Sequence, residues 1–261
     1  MLSFASTEIM SWLGAFLWPL FRIAAMVTAA PAIGARTIPM RIKLVFALMI
    51  TLVVMPILPP PPAVDPLSGE ALLITLNQVL IGVAMGLALQ LVFAMFVLGG
   101  QIIAYQMGLG FATMVDPASG QAVPVISQFY VILLTLIFFA LDGHLVFIDV
   151  VAESFRTLPI GMSGLSRDGL WQLAVWGGRM YSGAVQIALP AIASLLLINL
   201  TFGIVTRSAP QFNIFSLGFP VAILTGFFVM MATLDVMSTQ VNDQLLNIFG
   251  FMRWLAGPGN G

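Results

Sequence analysis

Residues 101–130 read QIIAYQMGLGFATMVDPASGQAVPVISQFY and lie between the two most apolar regions of the chain. The stretch is apolar enough for membrane depth, yet five residues would break a helix: Gly108, Gly110, Pro117, Gly120 and Pro124. Glycine admits backbone angles that other residues avoid, and proline removes a hydrogen-bond donor, so a plain spanning helix is excluded. Irregular backbone survives at membrane depth only inside protein or along a water-filled cavity. The sequence therefore predicts a protein-enclosed loop at the heart of a helical membrane protein, and this loop is a candidate gate.

The composition places the whole chain in or against a bilayer. Of its 261 residues, 60% are apolar and 7% are charged, and the mean hydropathy is +1.08. Soluble domains carry roughly 25% charged residues, so a soluble protein is close to excluded. The net charge of -1 gives no basic footprint for nucleic acid. Because cysteine is absent, disulfides, thiolate metal sites and cysteine catalysis are excluded, and the acidic first charge, Glu8, argues against a cleaved signal peptide.

Hydropathy predicts about six spans of the usual length of ~20 residues, nearly all interrupted by glycine, proline or a polar residue. The apolar segments are 9–30, 44–58, 72–98, 125–141 with its continuation to 152, 170–188 with the run that follows it, and 214–234. An amphipathic tail follows at 235–254. Breaks are expected at Gly99-Gly100 and at Asp142 to His144. This pattern predicts an all-α, polytopic membrane protein with broken helices that pack mainly on protein.

Small and charged residues inside the spans carry their own predictions. Gly82 and Gly86 have the small-xxx-small spacing that lets two helix backbones approach closely. Arg22 interrupts the first span, where a charge is costly unless it reaches an interface or pairs. Two interpretations of Arg22 stay open: the side chain reaches the membrane interface, or it pairs with an acidic group of a partner subunit. Arg179, which interrupts a later span, raises the same question of a partner.

The residues give little support to an enzyme. Gly161 to Gly164 spells the GxSG of an intramembrane serine protease, but the single histidine, His144, lies upstream instead of downstream. Asp116 and Asp142, the candidate pair for an intramembrane aspartyl site, suit structural roles in turns better. The chain also lacks the phosphate-loop, metal-ligand and dinucleotide fingerprints. We therefore expect a protein that is not an enzyme and that needs no metal or cofactor.

Several motifs, in order along nearly the whole chain, point to a known family. They are Ala30 to Gly34 with Ile38 to Arg41, Leu80 to Gly86, Gln106 to Thr113 with Val115 to Ser119, Asp142 to Leu145, Ser154 to Gly161, Leu189-Pro190 with Asn199, and Arg207 to Phe215 with Gly218 to Pro220. Each motif is weak alone, but together they are specific. The sequence resembles the FliR/SpaR/YscT family of type III secretion export-gate membrane proteins. The blocks at 108–119 and 207–220 favour the flagellar branch over the injectisome branch.

The resemblance implies a non-enzymatic subunit of the flagellar type III protein export gate. It implies a single domain, 1–261, with a FliP-like hairpin part at about 1–169 and a FliQ-like hairpin part at about 170–261. One copy would assemble with several FliP-like and FliQ-like subunits, next to an FlhB-like subunit, around a pore for unfolded flagellar proteins. The place implied is the bacterial inner membrane in the flagellar basal body, in contact with lipid and raised in part toward the periplasm.

The resemblance also implies that a loop at 107–123 projects into the pore and plugs it. Met107, Phe111 and Met114 are then apolar plugs, Gly108, Gly110 and Gly120 are hinges, and Asp116-Pro117 forms a turn. Ordinary helix packing is the simpler interpretation of the same residues. Helix packing is also the role expected of Gly82, Gly86, Pro190 and Asn199.

A secondary transporter is the alternative function. Its broken helices would surround a midplane site built from Gln78, Gln90, Arg179 and Asn199. Such a protein should show repeated hydropathy in its two halves, and no convincing repeat is present. The many polar and glycine-rich faces further predict that the chain is unstable without partner subunits.

Overall fold

The computed structural model describes residues 6–34, 38–62, 64–65, 68–110, 125–209 and 218–257, with side chains from residue 12 onward. Within these ranges the regular structure is helical. The elements are α1 (Ser6–Ala29), α2 (Met40–Val54) with a short 3-10 helix (Met55–Ile57), α3 (Gly69–Gln106), α4 (Val125–Ala140), α5 (Gly143–Thr157), α6 (Arg167–Ser208) and α7 (Phe219–Leu255). The predicted all-α class is confirmed.

Local chemistry explains where the longest helices start. The hydroxyl of Ser68 accepts a hydrogen bond from the backbone N–H of Ala71 at 3.1 Å, which satisfies one of the free donors at the start of α3. The hydroxyl of Ser166 accepts in the same way from Gly169 at 2.8 Å at the start of α6. Serine thus begins both of the longest helices of the described structure.

In the described part of the chain, five helices are long and apolar enough to cross a membrane, by length and composition: α1, α2 with its 3-10 extension, α3, α6 and α7. Helices α4 and α5 pass the same test together and are bent by 68° at their junction. The count is therefore five, or six if the bent pair is one span, in agreement with the prediction of about six. The bend falls at the predicted break, where Asp142 has the left-handed φ of 53°.

The predicted break at Gly99-Gly100 is wrong, because α3 runs through both glycines without interruption. Their role is close packing: a Cβ on Gly100 would lie 2.8 Å from the Cα of Ser127, and one on Gly99 would lie 3.1 Å from Ile187. The hydroxyl of Ser127 also donates to the carbonyl of Val97 at 3.0 Å. Packing thus outweighs the roughly 1 kcal/mol that glycine costs inside a helix.

Residues 170–188 and the run that follows them form one helix. Helix α6 is continuous over 42 residues, and Pro190 lies inside it, on an exposed face. In the same way, the last apolar segment and the amphipathic tail form one helix, α7.

The described chain divides into two compact units. Unit 1 comprises residues 1–91, 142–176 and 245–261, and unit 2 comprises residues 92–141 and 177–244. The core of unit 1 includes Ile23, Met26, Ile81, Met85 and Phe155, which are all almost fully buried. The core of unit 2 includes Phe93, Phe96, Phe138 and Met107, with the rings of Phe93 and Phe138 packed edge to face at 5.9 Å.

Helices α6 and α7 leave most of their apolar surface uncovered. In the most apolar stretch of each of these two helices, only 17% is buried inside the protein, whereas in α3 the buried share is 61%. Exposed polar side chains interrupt the same surface, at Gln186 and Asn199 for example. Lipid or protein must therefore cover these two helices.

Candidate functional site

The end of α3 is built to turn the chain sharply. The backbone N–H of Gly108 donates to the carbonyl of Tyr105, and that of Leu109 donates to the carbonyl of Ala104, both at 3.0 Å. Together with the φ of +78° at Gly108, these two bonds form a Schellman motif. Only glycine adopts this backbone angle without strain, so the sequence requires Gly108 at this position.

Met107 anchors the same turn in the core of unit 2. Its side chain is fully buried, and a Cβ on Gly226 of α7 would lie 2.6 Å from its sulfur atom. A Cβ on Gly108 would lie 2.8 Å from the ring of Phe219, at the start of α7. The flexible thioether fills the space that Gly226 leaves open. The chain therefore enters the predicted loop from a well-packed base.

The described residues stop just past this base. At Gly110, a Cβ would lie 2.7 Å from the ring of Tyr105, whose side chain is exposed. The other predicted gate residues, Phe111, Met114, Asp116, Pro117 and Gly120, lie outside the described residues. Their roles stay predictions.

The two glycines of α3 predicted to pack lie directly against α1. A Cβ on Gly82 would overlap the carbonyl of Arg22 and lie 2.9 Å from the Cβ of Ala25. A Cβ on Gly86 would lie 2.6 Å from the Cβ of Ala29 and 2.9 Å from the carbonyl of Met26. The two helix backbones therefore touch over at least one turn of α3.

The other two residues predicted to pack helices, Pro190 and Asn199, are exposed on α6. The hydroxyl of Ser194 donates to the carbonyl of Pro190, one turn earlier, at 2.8 Å. A role of Pro190 and Asn199 in packing against another subunit stays a prediction.

Arg22 corrects both sequence-based interpretations, because it neither reaches an interface nor projects toward a partner. Its side chain is fully buried in unit 1. Its Nε donates to Oε1 of Gln78 at 2.8 Å, one Nη donates to Oγ of Ser154 at 3.0 Å, and the other donates to the carbonyl of Leu158 at 2.9 Å. The guanidinium carbon lies 4.1 Å from the ring centroid of Phe155, a cation–π contact.

This Arg22 cluster joins α1, α3, α5 and the connector that follows α5. Asn77, the neighbour of Gln78, adds a further bond to the connector by donating to the carbonyl of Met162 at 2.9 Å. Sequence reasoning missed the cluster because the acceptors lie 56 to 136 positions from Arg22. The available signal was an amide pair, Asn77-Gln78, inside an apolar helix.

The comparisons with known proteins bear on nearly the whole chain. The family model for bacterial export proteins, family 1, matches residues 13–248. The flagellar biosynthetic protein FliR of Escherichia coli K12 is 37% identical over 252 residues, covering 97% of this chain and 96% of that protein. The chain belongs to the FliR family of bacterial export proteins.

Other members of the FliR family agree. FliR of Pectobacterium carotovorum is 40% identical over 231 residues, 88% of each chain, and FliR of Bacillus subtilis is 27% identical over 233 residues. The resemblance predicted from the motifs is therefore confirmed. FliR-family membership makes the chain a component of the flagellar export apparatus, and its apolar helices are those of a membrane protein.

Proposed function

We propose that this chain is a non-enzymatic subunit of the flagellar type III export gate and that residues 107–123 close its pore. The Schellman turn at Gly108 is the observation that carries the proposal. It ends a 38-residue apolar helix abruptly and sends the chain away from the helix axis. A loop that leaves such a helix can close a pore only if its base stays fixed, and the buried Met107 supplies that base.

The remaining gate residues take roles consistent with this base. Met107 anchors the loop, while Phe111 and Met114 supply apolar side chains that obstruct the passage of hydrated ions. Gly110 and Gly120 act as hinges on the two sides of the turn at Asp116-Pro117. The gate would then seal against ions when idle and move aside for an unfolded chain.

The uncovered surfaces of α6 and α7 support a hetero-oligomer. Exposed polar side chains such as Gln186 and Asn199 are unfavourable against lipid, so protein covers at least part of these faces. We assign this role to FliP-like and FliQ-like subunits, with one copy of the present chain in the complex and an FlhB-like subunit beside it. The assembly would lie in the inner membrane at the flagellar basal body, partly raised toward the periplasm.

Ion conductance of the reconstituted complex tests the gate. We expect deletion of residues 111–114, which leaves the Schellman turn intact, to make the closed complex leak ions. Gly110→Trp should also increase the ion leak, because the tryptophan side chain would displace Tyr105 and the start of the loop. Gly161→Trp is the matched control, since a Cβ at Gly161 meets no atom within 4 Å.

Native mass spectrometry of each variant must first show the assembled complex. A correctly assembled deletion variant that conducts no more than the wild type contradicts the gate. A wild-type chain that stays alone or forms only homo-oligomers contradicts the hetero-oligomer.

The alternative of a secondary transporter gains no support from the placement of its predicted site residues. In unit 1, Gln78 is buried in the Arg22 cluster whereas Gln90 is exposed. In unit 2, Arg179 and Asn199 are both exposed. Neither unit gathers these residues into a buried site of its own.

A further inference from the structure

The Arg22 cluster contains more hydrogen-bond donors than acceptors. A guanidinium carries five N–H groups. Three of them are used, by Gln78, Ser154 and Leu158. The hydroxyl hydrogen of Ser154 is also committed, because it donates to the carbonyl of Val151 at 2.6 Å. Surplus donors therefore remain on the guanidinium.

Gln78 adds two further donors that have no acceptor. Its side chain is fully buried, and its amide nitrogen has no hydrogen-bond partner in the described structure. Exchanging the amide oxygen and nitrogen would not satisfy these donors, because the oxygen is the atom that accepts from Arg22. Since the two amide atoms share one carbon, the nitrogen without an acceptor lies next to the atom that contacts Arg22.

The charge of the cluster is unbalanced as well. Among the described residues, no carboxylate lies within ion-pair distance of Arg22. The acids nearest to the cluster along α5, Asp149 and Glu153, instead pair with Arg253, Glu153 at 3.1 Å and Asp149 at 3.7 Å. Those three side chains are substantially exposed. A buried cation without a counter-charge is strongly unfavourable, so the site calls for a negative charge that brings no donors of its own.

We propose that Arg22 and Gln78 bind one monovalent anion of the halide class in the core of unit 1. A halide ion only accepts hydrogen bonds, so it satisfies the surplus donors of Arg22 and the amide nitrogen of Gln78 at once. A water molecule would bring two more hydrogens into a site already short of acceptors. The bound ion would neutralise Arg22 and fasten α1 to α3 and to the connector after α5. This inference does not depend on the proposed gate.

Thermal unfolding in different salts tests the site. The chain is purified with its partner subunits, and its unfolding midpoint is measured in sodium chloride and in sodium gluconate at equal ionic strength. We expect a midpoint higher by about 2–4 °C in chloride, with a dependence on chloride that saturates as binding does. Sodium bromide should raise the unfolding midpoint as sodium chloride does.

Four variants separate a bound ion from a general salt effect. Gln78→Glu places a carboxylate beside Arg22, repels the anion and should make the midpoint independent of halide. Arg22→Met should also lose the dependence, and if it does not fold, Gln78→Glu and Gln78→Leu decide. Arg253→Met removes an exposed arginine and should keep the wild-type response to chloride.

A structure of the complex in bromide supplies an independent readout. We expect a bromide peak in contact with both Arg22 and Gln78. The inference is overturned if the wild-type midpoint is the same in both salts, or if Gln78→Glu keeps the full chloride response. A peak that is identical in bromide and gluconate would be water and would overturn it as well. Because the cluster lies within unit 1, these results do not depend on whether the loop closes the pore.

Discussion

Gly226 of α7 leaves room for the side chain of Met107 at the end of α3, since a Cβ at position 226 would lie 2.6 Å from the Met107 sulfur. The pair therefore fixes the base from which residues 107–123 depart. Glycine at 226 is required by packing, because a larger residue and the buried methionine would compete for one space.

The first prediction concerns this pair. Gly226→Leu should displace Met107, destabilise unit 2 by about 1–3 kcal/mol and raise the ion leak of the reconstituted complex. Gly226→Ala should destabilise unit 2 less and raise the ion leak less, because the thioether of Met107 can shift. Gly203→Leu is the control, since a Cβ there meets nothing within 4 Å in the described structure. An assembled Gly226→Leu complex with wild-type conductance would show that Met107 does not set the loop.

The second prediction separates backbone conformation from side-chain size at Gly108. Asparagine tolerates left-handed backbone angles far better than β-branched residues do. Gly108→Asn should therefore lower stability and secretion only slightly, whereas the β-branched Gly108→Val, of broadly similar size, should cost roughly 1–2 kcal/mol and reduce secretion strongly. Both side chains must displace the ring of Phe219, so this contact cancels in the comparison. Flagellar protein secretion and thermal unfolding measure the two effects. If both variants lose stability and secretion equally, the left-handed backbone angle at Gly108 is not what the turn requires.

The broad architecture could be read from the sequence because it depends on local signals. Runs of apolar residues predicted the spans, and the polar triplet at Asp142 to His144 predicted the bend between α4 and α5. The resemblance to the FliR family rested on short motifs that keep their order along the chain. None of these inferences required knowledge of which helices touch.

The errors fell where a residue has two roles that only the packed structure separates. Gly99 and Gly100 could break a helix or admit a neighbouring backbone, and the proximity of Ser127 decides for the second role. Arg22 could reach an interface or a partner, or it could be satisfied internally. Its acceptors come from α3, α5 and the connector, so no local pattern could reveal them.

The third prediction tests the contact between α1 and α3. Gly86→Leu should force the two backbones apart and cost more than the typical ~1–3 kcal/mol of overpacking, because the atoms nearest to a Cβ at Gly86 include the main chain of α1. Gly69 lies on the same helix with nothing within 4 Å of a Cβ, so Gly69→Leu is the matched control. Chemical unfolding of the purified complex should separate the two variants clearly. Similar midpoints for both would argue that the close approach is not needed for stability.

The fourth prediction is that charge alone does not satisfy the Arg22 site. Lysine keeps the positive charge but lacks the planar fork that reaches Gln78, Ser154 and Leu158 in three directions. Arg22→Lys should therefore destabilise unit 1 by about 3–5 kcal/mol, close to the loss caused by Arg22→Met, because both leave buried acceptors unpaired. Arg253→Lys offers a control: its partners are exposed, so the change should cost only about 0–1 kcal/mol. If Arg22→Lys unfolds at the wild-type midpoint, then the buried positive charge, and not the three-way geometry, holds α1 in place.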